Sequence, residues 1–213
     1  MSISAIQHVQ HSSRRLFAVS LVIAAFAPMA AAQPSLLDNY SPVSLEELAN
    51  PPAGDWLMWR RTANHWAYSP LDQINKDNVA NLRLAWAWTM EPGKQETTPL
   101  VHDGVMFLPQ ACDFIEAVDA TDGTPLWEYR RATVDHVAPL SCANRNATLY
   151  KDQLIIATRD AYIVSLNATS GEVTWERQIG DWTVGQHYSG GPQVFDGKVI
   201  TGMSGCYYIN TSC

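Results

Sequence analysis

Short apolar runs alternate with turn chemistry along most of the chain, and they do so with a period. Residues 117–127 and 165–175 carry one string twice: apolar positions, then Asp119 or Asn167, an Ala-Thr step, Gly123 or Gly171, and a closing Trp127 or Trp175. Each pair is 48 residues apart (119 to 167, 123 to 171, 127 to 175). Self-similarity at roughly 20–50 residues marks a repeat architecture.

Each copy reads as strand, tight turn, strand. Asp or Asn and Thr side chains bond nearby backbone, and Gly accepts a positive φ without steric cost. A second element precedes each copy, in residues 98–108 and 147–157, and a third example occupies 191–201. Asp103-Gly104 and Asp196-Gly197 between apolar runs are hairpin signals, with Asp152-Gln153 a weaker version of the same turn. Joined, the elements predict an all-β fold, a β-propeller built from four-stranded blades of roughly 45 residues. Residues 82–88 read as the Trp-bearing outer strand of a further blade, and Trp86, Trp127 and Trp175 are each expected to seat on a neighbouring blade. A ring needs at least about four blades. The chain is therefore expected to be the N-terminal part of a longer, truncated propeller, stopping at Cys213 within a blade.

Upstream, Arg14-Arg15 leads an apolar run that ends in Ala30-Ala31-Ala32 before Gln33. This predicts a signal peptide over 1–32, of general-secretion or twin-arginine type, and export to the bacterial periplasm. Such a core is short for a membrane span, so no transmembrane span is expected after its removal. Residues 33–54, rich in Pro and carrying Glu46-Glu47, read as an arm with one short helix near 44–49, and residues 55–213 as the propeller part.

The four cysteines suit an oxidising compartment and allow three pairings. In the blade register, Cys112 follows a second strand and Cys142 precedes the next first strand, at the same end of the propeller. The expected disulfides are Cys112–Cys142 and Cys206–Cys213. The scattered histidines 65, 102, 136 and 187 and the lack of a Cys-x-x-Cys argue against a structural zinc site. A formal net charge of -7 offers no basic stripe for phosphates, which argues against a nucleic-acid binder. With 46% hydrophobic and 16% charged residues the chain is an ordered domain, not a disordered one. Sequons at Asn146, Asn167 and Asn210 read as turn chemistry.

Residues 56–86, which open Trp-Leu-Met-Trp-Arg-Arg and close Leu-Arg-Leu-Ala-Trp, together with Glu96-Thr-Thr-Pro-Leu-Val, resemble the opening of the pyrroloquinoline-quinone (PQQ) dependent alcohol dehydrogenases. The resemblance implies an eight-bladed periplasmic propeller with PQQ near its axis and a bound Ca²⁺ or lanthanide ion. It further implies oxidation of a small alcohol and electron transfer to a cytochrome c. Glu96 matches a Glu that bonds the quinone. Asn144-Arg145 matches an Asn-Arg pair whose Arg contacts the cofactor, and a guanidinium suits its carboxylates. Ser189 matches a Ser or Thr that donates to a PQQ carboxylate, and Ser204-Gly205 matches a Ser-Gly whose backbone approaches the cofactor. Read without the resemblance, Glu96 is a solvated loop acid, Arg145 a strand-end ion pair and Ser189 a hydroxyl before a strand.

Two departures set the chain apart from the methanol-type enzymes. Cys206-Tyr207 stands where they have Ala-Glu, so the metal ligand is missing there and Asn210 is the nearest oxygen-bearing substitute. Cys142 is single, so no adjacent-cysteine ring forms, although a Cys112–Cys142 bridge would cover the cofactor from the same side. The implied mechanism is hydride transfer to the quinone with an Asp as general base. Asp113, Asp135 and Asp160 are unconvincing for that role, and the base is expected beyond Cys213, leaving this chain inactive by itself. The alternative is a non-enzymatic propeller scaffold that binds envelope proteins.

Overall fold

The computed structural model describes residues 35–132 and 142–205. The expected signal peptide over 1–32, Asp135 and His136 within residues 133–141, and the Cys206–Cys213, Tyr207 and Asn210 expectations lie outside the described residues.

Two antiparallel four-stranded meanders form the body. The first blade orders β1 (Leu100–His102), β2 (Val105–Gln110), β3 (Phe114–Asp119) and β4 (Pro125–Arg130). The second orders β5 (Ala147–Tyr150), β6 (Gln153–Ala157), β7 (Tyr162–Asn167) and β8 (Val173–Gln178). A third begins with a short pair, β9 (Gln186–His187), and a hairpin, β10 (Gln193–Phe195) and β11 (Lys198–Ile200). It returns as β12 (Ser204–Gly205), which pairs with β9.

The repeat seen in the sequence is also a repeat of bonds. Asp119 N–H donates to the Thr124 carbonyl and Gly123 N–H to the Asp119 carbonyl; Asn167, Glu172 and Gly171 do the same. Asp119 Oδ1 takes the amide of Thr121, and Asn167 Oδ1 takes that of Thr169. A bulge follows at the same step of both blades, between Ala117 and Val118 and between Ser165 and Leu166. It sets Trp127 opposite Ala117 and Trp175 opposite Ser165.

The tryptophans seat as expected in two of three cases. Trp86 Nε1 donates to the Ala120 carbonyl at 3.1 Å and Trp127 Nε1 to the Ala168 carbonyl at 2.9 Å, each on the turn of the following blade. Trp175 does not: it bonds Gln153 Oε1 within its own blade and is partly exposed. Every position of β8 is exposed, so that strand has no cover among the described residues. Residues 82–88 likewise belong to no strand of the described residues, although Trp86 is seated, and Leu84 stands 84% exposed. Without a ladder partner an extended segment has no strand to join.

Hairpin chemistry is largely as read. Asp103 and Gly104 take φ of 49° and 79°, and Asp196 and Gly197 take 50° and 69°. The middle turn is one residue earlier than expected: β5 ends at Tyr150 and Lys151 carries the positive φ, so Lys151-Asp152 turns the chain.

The core lies between the blades, with Leu100, Phe107, Ile115, Leu149, Leu154 and Ile156 fully buried. Burying one such side chain contributes roughly 1.5–3 kcal/mol. The arm joins this core. Its helix α1 (Leu45–Ala49) starts at the Ser44–Glu47 capping box and buries Leu48. Val43 bridges Lys151, Trp56 bridges Val101, and the Leu57 carbonyl accepts the Leu149 amide, so residues 56–57 bond the inner strands of both blades. Among the described residues no helix is long and apolar enough to cross a membrane.

Candidate functional site

Antiparallel order brings five loops to one end. Where β1 starts, β2 must finish, and the same holds for β5 and β6. The approach to β1, the β2–β3 turn, the approach to β5, the β6–β7 turn and the loop after β9 therefore share that end.

The approach to β1 is fixed by Gln110, which is fully buried. Its Oε1 accepts the Glu91 amide at 2.6 Å, and its Nε2 donates to Glu116. Gln95 ties the loop at Ala111 N–H (3.2 Å) and at the Glu91 carbonyl (2.6 Å). A β-carbon at Gly93, where φ is 145°, would stand 2.7 Å from that of Ala111, so only glycine lets the loop lie this close.

Glu96 is held out of this loop between two cations, Lys94 Nζ at 2.5 Å and Arg145 Nη2 at 2.7 Å. The Lys94 bond first, helped by Arg145, holds the Glu96 carboxyl below the usual range. Arg145 Nη1 also donates to Ser189 Oγ at 2.7 Å. Three of the residues singled out in the sequence, Glu96, Arg145 and Ser189, thus form one bonded cluster. The Arg145 side chain is 42% exposed, and an ion pair this open is worth about 0–1 kcal/mol. Its geometry rather than its energy is what it offers a ligand.

Asn144 turns the other way. It is buried, and its Nδ2 lies 3.5 Å from Asp113 Oδ1. Among the described residues Ser204 and Gly205 make no hydrogen bond to the cluster; they pair with His187 and Gln186, two and three residues before Ser189. Gly205 has φ 133°, and a β-carbon there would collide with the Gly185 carbonyl, so the strand pairing already requires the glycine.

The β2–β3 turn carries the expected disulfide. Cys112 and Cys142 are bonded, with Cα atoms 4.3 Å apart, and the Cys112 amide donates to the Cys142 carbonyl. Cys112 and Asp113 both sit in the left-handed region, at φ 62° and 58°. Each costs about 1–2 kcal/mol in a non-glycine residue, which the bridge and the Asp113 carboxylate offset. Asp113, 2% exposed, accepts the Arg159 amide at 3.0 Å. Burial pushes its carboxyl above the usual range despite the Arg159 bonds. Asp160 is taken by Arg131 at 2.7 Å and by Thr158. Neither acid is free to act as a base, and Asp135 lies outside the described residues.

Three features were not singled out in the sequence: Lys94, Gln110 and the Asp113–Arg159 pair. A charged Arg-Asp step inside the tight β6–β7 turn was the one signal available for the last.

At this end Lys94 and Arg145 flank Glu96, Arg131 is paired with Asp160, and Arg159 lies beside the buried carboxyl of Asp113. Among the described residues the buried Nε of Arg159 has no hydrogen-bond partner. An open guanidinium donor beside the partly exposed Arg145 fits a polycarboxylate such as PQQ. Among the described residues no group of three or more His, Cys, Asp or Glu could hold a metal ion.

Known proteins share both the sequence and the blades of this chain. The family described as "Glucose/ethanol/alcohol dehydrogenase, beta-propeller domain" matches residues 56–181. The quinoprotein alcohol dehydrogenase PedH of Pseudomonas putida is 35% identical over 198 residues, 90% of this chain and 32% of that protein. The 1-butanol dehydrogenase (quinone) of Thauera butanivorans is 38% identical over 158 residues, 71% of this chain and 25% of that protein. Among solved structures, the quinohemoprotein alcohol dehydrogenase ADHIIG of Pseudomonas putida superposes with a TM-score of 0.72 at 29% identity, covering 78% of this chain and 25% of that one. A europium-containing methanol dehydrogenase gives 0.70 at 30% identity, covering 75% and 29%. The chain thus spans about a third or less of the length of these relatives. With more than half of its residues matched by the propeller domain and its blades superposing on quinoprotein blades, the chain belongs to the PQQ-dependent alcohol dehydrogenase family.

Proposed function

We propose that this chain forms the opening blades of a periplasmic PQQ-dependent alcohol dehydrogenase. In this reading residues 1–32 direct export and are removed, residues 33–54 are an arm, and residues 55–213 begin the propeller. The whole protein oxidises a small alcohol to an aldehyde or ketone and passes electrons to a cytochrome c. The observation that carries the reading is Arg145, which bridges Glu96 and Ser189 at 2.7 Å each at the loop end of the blades.

PQQ, when bound, supplies a quinone centre that accepts two electrons from the alcohol. The residues of this chain bind and orient it. Arg145 donates to a carboxylate or quinone oxygen, and Lys94 keeps Glu96 ionised as an acceptor. The Ser189 hydroxyl, already fixed by Arg145, donates its own proton to a carboxylate. Asn144, anchored on Asp113, holds the strand start in register. Ser204 and Gly205 border the same loop through β9. In this reading the general base is supplied from beyond Cys213, and this chain by itself binds the cofactor without turnover. A Ca²⁺ or lanthanide ion belongs to the same reading, with Asn210 as the oxygen ligand this chain would supply.

The test is titration of the purified chain with PQQ, read by tryptophan fluorescence, without metal and with Ca²⁺ or La³⁺. Saturable quenching that weakens in Arg145→Ala supports the reading. Absence of binding under every metal condition overturns it and favours the scaffold alternative.

A further inference from the structure

Two arginines are buried at the loop end, and they are satisfied very differently. Arg131 Nε donates to both oxygens of Asp160 at 2.9 and 2.8 Å, its Nη1 donates to Glu176 at 2.9 Å, and its guanidinium lies 4.7 Å from the centre of the Tyr162 ring. Arg159 has none of this. Among the described residues its side chain, 11% exposed, makes no hydrogen bond, and its Nε is buried without a partner. The one carboxylate near it is Asp113, 3.5 Å from Nε, and Asp160, its own neighbour, is committed to Arg131.

A buried guanidinium with open donors is costly unless an acceptor arrives. Two independent tethers place Arg159 against the cluster. Its amide bonds Asp113, which contacts Asn144, the neighbour of Arg145. On the other side the Thr158 carbonyl accepts the Tyr188 amide at 3.3 Å, next to Ser189. Arg159 therefore lies between Asn144, the neighbour of Arg145, and Tyr188, the neighbour of Ser189. Asp113, at 3.5 Å, leaves the Nε donor without a hydrogen bond.

We infer that Arg159 is a second guanidinium of the cofactor site and takes a carboxylate of PQQ beside the one held at Arg145. The inference rests on the PQQ reading above. Two guanidinium groups set apart by the Asn144–Asp113 step recognise two carboxylates of one rigid ligand, which a lone arginine does not. Asp113 is then a positioning residue: it fixes the Arg159 backbone and leaves the side chain unsaturated.

The unaltered chain, Arg159→Met, Arg159→Lys and Arg145→Ala are titrated with PQQ and with its trimethyl ester, and urea unfolding is followed without ligand. Loss of a charge-assisted bond lowers affinity by roughly tenfold or more. Arg159→Met is expected to show that loss toward PQQ, Arg159→Lys a smaller one, and neither a comparable difference toward the ester, whose carboxylates are masked. Unaltered PQQ affinity in Arg159→Met, with only its unfolding midpoint lowered, overturns the inference and makes Arg159 the structural partner of Asp113. If Arg159→Met does not fold, Arg159→Lys decides: equal PQQ affinity to the unaltered chain overturns the inference. Absence of PQQ binding by the unaltered chain overturns both the inference and the reading it rests on, whereas PQQ binding lost in Arg145→Ala but not in either Arg159 variant overturns the inference alone.

Discussion

Trp127 lies across Gly171, its Cε3 atom 2.5 Å from where a β-carbon at that glycine would stand. Trp86 covers Gly123 in the same way, at 2.8 Å. Glycine is needed twice over in each turn, for φ of 73° and 79° and for the indole above it. Gly171→Ala is expected to cost about 2–4 kcal/mol, from left-handed strain and overpacking. Trp127→Phe, which keeps an aromatic ring but leaves the Ala168 carbonyl without its donor, costs about 1 kcal/mol in hydrogen bonding, besides the packing of the smaller ring. Urea unfolding of the two variants orders them; an Ala variant as stable as the parent would rule out the close contact.

The Cys112–Cys142 bridge closes a loop with a sequence separation of 30. Replacing both cysteines with serine is expected to remove roughly 2–4 kcal/mol, largely through the unfolded chain. The parent's thermal melt should fall to that of the double variant in reductant and lie above it without; insensitivity to reductant would refute the bridge.

His102 clasps the arm to the first blade. It is fully buried, with Nδ1 2.7 Å from Asp55 Oδ2 and Nε2 2.8 Å from the Ser41 carbonyl, and the Tyr40 ring packs edge-on against it. His102→Leu leaves a carboxylate and a carbonyl without partners, an expected loss of about 2–4 kcal/mol. Limited proteolysis should then cut within residues 35–54 before the blades; uniform resistance would argue that the arm is held by α1 alone.

Two carboxyls predict opposite pH trends. Burial alone would raise the Asp103 carboxyl, but the hydroxyl and amide of Ser41 more than offset it, so it sits below the usual range. Its stabilisation is present above about pH 4 and is lost as pH falls through the lowered value. Asp113, raised by burial, contributes stability that is present below about pH 4 and is lost as pH rises through its raised value. Unfolding free energy measured from acid to neutral pH should lose the first slope in Asp103→Asn and the second in Asp113→Asn. Parallel profiles for all three proteins would contradict both assignments.

Much of the blade was legible in the sequence because its turns are chemical. Asp119, Gly123 and Trp127 each perform a local task that leaves a residue type at a fixed spacing, and so do Asn167 and Gly171. What depended on partners was less so. Residues 82–88 have strand composition but no ladder among the described residues, and Trp175 has a seat only within its own blade. The Lys151-Asp152 turn was read one residue late because the sequence signal lay in Asp152, whereas the positive φ falls on Lys151. At the candidate site, Glu96, Arg145 and Ser189 were singled out by likeness, and the structure places them in contact. Arg159 was not, because nothing in a single Arg-Asp step tells which of two buried arginines will be saturated.

Stability in stacked repeats is ordinarily a sum of units and the interfaces between neighbours. The Trp56-Leu57 strap breaks that arithmetic. One dipeptide takes hydrogen bonds from Val101 of the first blade and Leu149 of the second, so loosening either inner strand costs the other its edge. These two blades are thereby yoked into a single cooperative unit, and slow amide exchange in one should never persist after the other has opened.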